Sequence, residues 1–263
     1  MTLHRLALLC VASLALCACG GGTKLVKQAA PVPQREVPIV VAANDTLAAQ
    51  LDFIVVRNGP GAWARNGDWD EYLIRVRNMS ASPVELRAVD VTDSEGTVAG
   101  TLNDRADLVR ATKLTEKRYR QSGVKVAAGR GGAGLLIGGM GAGAVGYGAA
   151  AASATGALLA AGYSGAVVGA GMILASPVLM GVGIVRMVNN SMVDDRIESR
   201  ATPLPVSIPA GTDVLLDVFF PISPSPRHLT FRYRTAQGDQ QLQIDTSRVL
   251  AGLHLAAPPP AAK

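Results

Sequence analysis

Residues 71–96 read EYLIRVRNMSASPVELRAVDVTDSEG, and this stretch decides the fold class. Apolar and polar side chains alternate from Glu71 to Asn78 and again from Val84 to Thr92. A period of two is typical of strands that bury one face. The links 80–83 (SASP) and 93–96 (DSEG) have the composition of tight turns. The stretch therefore predicts an antiparallel hairpin followed by a further turn.

Similar short strands are predicted on both sides of this hairpin. They are Leu51–Arg57, Leu204–Ile208, Asp213–Phe219, His228–Arg234 and Gln240–Asp245. About seven short strands separated by turns favour a β-sandwich. Residues 71–96 also resemble the middle hairpin of bacterial immunoglobulin-like domains, without the cysteine pair of antibody domains. The predicted fold class is α+β: an immunoglobulin-like antiparallel β-sandwich, built from 39–104 and 201–247 and interrupted by an inserted Gly/Ala-rich helical hairpin.

The inserted region, residues 105–200, begins and ends with polar segments. Residues 105–130 are strongly basic and predict a helix with Leu108, Ala111 and Leu114 on one face. Residues 186–200 are polar again, and the pair Asp194-Asp195 is interpreted there as part of a solvated helix face.

The middle of the insert, 131–185, contains no charged residue. One membrane-spanning helix needs only about 20 residues, so this run predicts two arms that meet near 153–156. Its large aliphatic residues disfavour a soluble Gly/Ala-rich linker, although that alternative and a helical pair buried against the sandwich both remain open. The interpretation adopted is a membrane hairpin.

Small residues recur every four positions along both arms. They are Gly134, Gly138, Ala142 and Gly146 in the first arm and Ala157, Ala161, Gly165 and Gly169 in the second. Residues four apart share a helix face, and a smooth face lets another helix approach closely in lipid. The pattern predicts a glycine zipper that packs the two arms together or joins copies of the chain in a homo-oligomer.

The N-terminus has the features of a secretory signal peptide. Arg5 precedes an apolar run, 6–18, that is short for a membrane-spanning helix. Leu16-Cys17-Ala18-Cys19 resembles the lipobox of bacterial lipoproteins. That resemblance implies cleavage before Cys19 and its modification by acyl chains such as palmitate. Cleavage before Cys17 fits less well because Leu16 would take the small-residue position, and an ordinary signal peptide cut near Ala18 is the remaining alternative.

The mature chain would then start at Cys19 with a flexible tether, 19–38. The cysteines of the sequence are Cys10, Cys17 and Cys19, so the mature protein has no disulfide. The residue after the lipid site is glycine, which resembles the default signal for transport to the outer membrane of Gram-negative bacteria. The localisation implied is the outer membrane, with the soluble part in the periplasm.

Basic residues border the uncharged segment at Lys125, Arg130 and Arg186. On the interpretation above they lie on the periplasmic side, where basic flanks oppose the positive-inside tendency of inner-membrane proteins. This favours the outer membrane. Each cation near an anionic membrane surface contributes about 1 kcal/mol, so membrane lipid is an expected partner.

No catalytic constellation is predicted. Gly141–Gly146 matches G-x-G-x-x-G but has neither the preceding strand nor the following acid of a dinucleotide site. Asp68, Asp70 and Glu71 are interpreted as a polar loop that caps a strand, and His254 is placed in a Pro/Ala-rich tail, 248–263. We expect no metal, no cofactor and no small-molecule substrate. Aromatic residues make up only 4% of the chain, which disfavours single-stranded nucleic acid.

This organisation resembles outer-membrane lipoproteins with a glycine zipper, such as the 17 kDa surface-antigen type, and the surface-exclusion lipoproteins of conjugal transfer. The resemblance covers the lipobox and residues 131–185. It implies a non-enzymatic cell-envelope protein whose sandwich contacts other envelope proteins. The alternative is an oligomeric lipoprotein that perforates the membrane or serves export.

Overall fold

The computed structural model describes residues 23–29, 31–32, 37–129 and 182–256, with side chains of the last range from 190 onward. Within these residues the elements are β1 (Lys24–Leu25), β2 (Val40–Ala43), β3 (Leu47–Val55), β4 (Ala64–Arg65), β5 (Trp69–Asn78), β6 (Val84–Thr92), β7 (Val98–Gly100), α1 (Arg105–Gln121), α2 (Val182–Arg200), β8 (Val206–Ile208), β9 (Asp213–Pro221), β10 (His228–Thr235) and β11 (Gly238–Asp245). The prediction of an α+β fold dominated by strands is confirmed, and each predicted strand is present.

The first sheet contains four antiparallel strands in the order β2-β3-β5-β9. The long strand β5 is paired on both sides, because Tyr72 lies opposite Ile54 of β3 and opposite Val218 of β9. A register shift between Leu51 and Phe53 interrupts the β3–β5 pairing. Strand β9 follows the helices in the chain, so the sheet joins segments from both sides of the insert.

The second sheet has the order β11-β10-β6, and two short strands share the other edge of β6. Strand β7 pairs with the last residues of β6, and β8 pairs with its first residues. Because β8 comes after the helices and β7 before them, this sheet also combines both halves of the chain.

Inward side chains of the two sheets form one hydrophobic cluster. Its largest buried members include Tyr72, Phe220, Phe231, Tyr233, Leu51 and Leu86. The rings of Tyr72 and Phe220 meet edge to face with centroids 5.0 Å apart. Burial of each such side chain contributes roughly 1.5–3 kcal/mol, so this cluster is the main source of stability.

A second cluster lies on the opposite face of the first sheet, under α1 and α2. It contains Trp63, Ala64, Trp69 and Phe219 from the strand segments, Leu108 from α1, and Val193 and Ile197 from α2. Asp104 caps α1, since its carboxylate accepts a hydrogen bond from the Asp107 amide at 2.9 Å. The predicted helix is present, but the residues predicted to share one face differ in burial: Leu108 is buried, whereas Leu114 is 64% exposed because α1 turns that position away from the sheet.

Because both faces of the first sheet are covered, the burial of the β5 side chains differs from the prediction. Its polar residues were expected in solvent, but Asp70, Glu71 and Arg75 are all buried. The interpretation of Asp70 and Glu71 as parts of a capping loop is therefore wrong, because both belong to β5 and lie under other elements.

Two terminal predictions also need correction. Within the predicted tether 19–38, Lys24–Leu25 pairs with β4. Within the predicted tail 248–263, Leu250, Leu253 and His254 are completely buried. Leu25 of the first segment packs against the second cluster, and Leu250 and Leu253 of the other segment belong to the cluster between the two sheets. Among the described residues no helix is long and apolar enough to cross a membrane.

Candidate functional site

The second cluster gathers the elements that border the two segments predicted to enter the membrane. Leu25 of β1 packs on it shortly after Cys19, Leu108 of α1 precedes the uncharged run, and Ile197 of α2 follows that run. The helices are also linked to each other, since Arg105 donates to Asp194 at 2.7 Å. We call this region, comprising β1, β4, α1 and α2, the helix-covered face.

An ion pair between the partly exposed Arg200 and the buried Glu71 fixes the end of α2 to this face. Arg200 Nε donates to Glu71 Oε1 at 2.8 Å, and the indole of Trp63 donates to Glu71 Oε2 at 2.6 Å. The guanidinium carbon lies 6.0 Å from the centroid of the Trp63 ring. Since Glu71 is only 1% exposed, these contacts compensate the cost of removing its charge from water.

Asp217 is a second carboxyl group beside Arg200, in addition to Glu71. Its Oδ2 atom lies 3.2 Å from Arg200 Nη2. Burial, followed by the neighbouring charge of Glu71, raises the pKa of Asp217 to about 9, and Arg200 only partly opposes this. At neutral pH Asp217 therefore carries a proton.

A shallow cleft lies beside this group, lined by Arg57, Trp63, Gly67, Trp69 and Glu71 among others. Its free volume is about 20 Å³. That is room for one water molecule, whereas pockets for small organic ligands measure roughly 300–1,000 Å³. The cleft thus gives no support to a substrate site.

A second buried polar group lies at the end of the hydrophobic cluster between the two sheets. His254 Nε2 is 2.6 Å from Asp70 Oδ2, and the two side chains are 0% and 1% exposed. Burial, and next the charge of Asp70, raises the pKa of Tyr72 well above its usual value. The other ring nitrogen of His254 has no hydrogen-bond partner among the described residues. The pair therefore holds the C-terminal segment on β5. Among the described residues, no Ser, Thr or Cys side chain forms a hydrogen bond with His254, so the pair is not part of a nucleophilic site there.

The helix α1 turns its basic residues outward. Arg110, Lys113, Lys117 and Arg120 are exposed, opposite the buried Leu108, Thr112 and Tyr119. Two arginines of α1 are less exposed because they form ion pairs: Arg105 with Asp194, and Arg118 with Asp93 and, at 3.0 Å, with Glu95 in the turn after β6. The outward face of α1 is consequently a cationic stripe.

The structure describes few of the residues predicted as functional. Lys125 is exposed, just beyond the end of α1. Arg186 lies within α2, although its side chain is outside the description. The remaining predicted residues lie outside the described residues: Cys19, Arg130, Gly134, Gly138, Ala142, Gly146, Ala157, Ala161, Gly165 and Gly169.

One surface feature was not predicted from the sequence. Strands β1 and β4 form a two-stranded ribbon in which Lys24 lies opposite Arg65, and both are exposed. Elements of two residues carry no detectable periodicity. The only local signal is Asn66-Gly67, a dipeptide that favours a turn, and Asn66 indeed has a positive φ of 54°.

In the described ranges no group of three or more His, Cys, Asp or Glu residues has the arrangement of a metal site. No protein-family model, curated protein or solved structure matches the chain.

Proposed function

We propose that this chain is a non-enzymatic, lipid-anchored protein of the Gram-negative cell envelope. Acyl chains on Cys19 and a glycine-zipper hairpin at 131–185 attach it to the outer membrane. The β-rich domain, which we propose to be an immunoglobulin-like sandwich interrupted by that hairpin, lies in the periplasm and contacts other envelope proteins.

One observation supports the proposal: β1, α1 and α2, the described elements nearest in sequence to Cys19 and to the uncharged run, pack together on the helix-covered face. Leu25, Leu108 and Ile197 belong to three elements that are distant in sequence but share the second cluster. A domain held to a bilayer at its N-terminus and at an inserted hairpin needs those attachments on one side. The packing of β1, α1 and α2 on one face is consistent with that requirement.

The other side of the domain is suited to protein contacts. On the second sheet the exposed residues of β10 and β11 are mostly polar, among them Arg232, Arg234, Gln241 and Gln243. Polar surfaces of this kind are typical of soluble domains and of interface rims. The proposed orientation leaves this sheet facing away from the membrane.

Fractionation of cells tests the proposal. Wild type is expected in the outer-membrane fraction, and Cys19→Ala is expected to lose that location. Recovery of wild type in the soluble periplasmic fraction would contradict the proposal. The alternative, an oligomer that perforates the membrane, predicts a defined high-order native mass in detergent extracts.

A further inference from the structure

The β1–β4 ribbon places two positive charges side by side. Lys24 and Arg65 are direct partners in the antiparallel register, so their side chains leave the same face of the ribbon about 5 Å apart at Cβ. The other face carries Leu25 and Ala64, which pack on the second cluster. Like charges in directly opposite positions destabilise a strand pair, so this arrangement opposes folding unless an anion is present.

No anion from the described part of the chain neutralises the pair. Neither Lys24 nor Arg65 forms an ion pair with any described residue. The nearest acid in sequence, Asp68, is occupied by Arg57 at 2.9 Å. Lys27 adds a third exposed cation shortly after β1. The ribbon is therefore a compact cationic surface without an acidic partner among the described residues.

The position of the ribbon limits what that anion can be. Lys24, the first residue of the ribbon, is five residues after Cys19. Five extended residues span at most about 18 Å. If Cys19 carries acyl chains, the ribbon cannot be farther than this from the membrane surface, and the polar headgroup layer itself extends roughly 5–7 Å from the hydrocarbon on each side.

We infer that Lys24 and Arg65 bind the phosphates of anionic phospholipid headgroups in the leaflet that holds the Cys19 acyl chains. This inference rests on the proposed acylation of Cys19. The arginine guanidinium can bind a phosphate through two parallel hydrogen bonds, and the lysine ammonium adds a point charge. Binding orients the helix-covered face toward the bilayer.

The test uses the full acylated chain in vesicles. A Gln28→Cys substitution supplies the only free thiol of the mature protein, because the remaining cysteine carries lipid, and its exposed position accepts a fluorescent donor. Energy transfer to an acceptor on lipid headgroups measures the ratio of docked to undocked domain. The vesicles are phosphatidylcholine alone, or phosphatidylcholine mixed with phosphatidylglycerol.

Docking is expected to increase when phosphatidylglycerol is present. The variant Lys24→Gln/Arg65→Gln should lower the docked-to-undocked ratio about 30-fold on those vesicles, because each cation near an anionic surface contributes about 1 kcal/mol. High salt should remove the difference. The matched control Arg87→Gln/Arg234→Gln neutralises two exposed arginines of the second sheet and should keep the wild-type ratio.

A stability measurement separates lipid binding from a structural role. In detergent without anionic lipid, Lys24→Glu replaces the like-charged pair by an opposite-charged one and should stabilise the domain slightly. On vesicles with phosphatidylglycerol the same substitution should decrease docking. A purely structural ribbon would show the first effect without the second.

The outcomes also distinguish the two proposals. If wild type floats with both kinds of vesicle but phosphatidylglycerol does not change docking, or if the arginine control loses docking equally, the headgroup site is wrong and the lipid anchor stands. If wild type floats with neither, acylation has failed and both proposals are overturned.

Discussion

Arg200, the last residue of α2, donates from Nε to Glu71 Oε1 at 2.8 Å, and so joins the end of the insert to the central strand of the first sheet. Glu71 lies on β5, far earlier in the chain. The pair therefore closes a long loop across the uncharged segment. Both tryptophans of the protein, Trp63 and Trp69, lie in the cluster beneath it, so their fluorescence reports whether the helices remain docked.

Removal of this arginine should destabilise the domain strongly. Arg200→Met leaves the Glu71 carboxylate buried without its cation, which costs about 3 kcal/mol in the free energy of unfolding. Urea titration of the full protein in detergent, followed by tryptophan fluorescence, measures the change. Arg196→Met, an exposed site one turn earlier on α2, should stay within about 0.5 kcal/mol of wild type. Equal losses of unfolding free energy in Arg200→Met and Arg196→Met would contradict a stabilising role for the Arg200–Glu71 pair.

Asp217 should make stability depend on pH. Its pKa is about 9 in the folded protein, so the folded state keeps a proton that the unfolded state releases above its ordinary pKa near 3.8. The stabilisation from this group is complete below that value and is lost as the pH rises toward 9, at about 1.4 kcal/mol per pH unit. Asp217→Asn should remove this slope.

The measurement for Asp217 compares urea unfolding near pH 5 and near pH 8. Relative to Asp217→Asn, wild type should be clearly less stable at the higher pH. Asp213→Asn, at the exposed start of the same strand, serves as the control and should keep the wild-type slope. A constant difference between wild type and Asp217→Asn at both pH values would sink this prediction.

Thr112 links α1 to two separate loops. Its hydroxyl donates to the Asp68 carbonyl at 2.6 Å and accepts from the Ile222 amide at 2.9 Å. The isosteric change Thr112→Val leaves that amide buried and unpaired, which should cost roughly 1–3 kcal/mol. Thermal unfolding monitored by tryptophan fluorescence tests it against Thr115→Val, a less buried threonine of the same helix. Indistinguishable unfolding of the two variants would show that the bridge is unimportant.

The C-terminal segment should be essential up to residue 256 and dispensable beyond it. His254→Leu deprives the buried Asp70 carboxyl group of its described hydrogen-bond partner and should cost roughly 1–3 kcal/mol. A stop after Ala256 removes 257–263 and should leave the unfolding curve of wild type unchanged. If the truncation is as harmful as His254→Leu, the buried pair does not explain the stability of this region.

The strands were predictable because their burial follows a period of two. Val84–Thr92 agrees with β6 at both ends, and Val84 and Leu86 are buried in the predicted alternation. A register shift against β10 then changes the alternation, so that the next buried apolar residues are Val89 and Val91. No strand was predicted for β1, β2, β4 or β7, which have two to four residues each and too little sequence for a pattern. Short edge strands form because of the strands they pair with, and not because of a pattern in their own residues.

The polar residues of β5 show the other limit. Asp70 and Glu71 looked like solvated loop residues, because nothing in local sequence indicates that His254 and Arg200 meet them from distant segments. The same applies to His254 itself, which lies in a segment rich in alanine, glycine and proline. Contacts between buried polar side chains from distant segments have no local sequence pattern, so only the three-dimensional structure reveals them.

The most direct test of the lipid-anchored envelope protein is the acylation of Cys19. Cells that express wild type or Cys19→Ala are grown with labelled palmitate, and the purified proteins are compared for label and for intact mass. We expect label in wild type, a mass that corresponds to cleavage before Cys19 plus acyl chains, and no label in Cys19→Ala. Wild type without label, or equal labelling of the two proteins, would contradict the account.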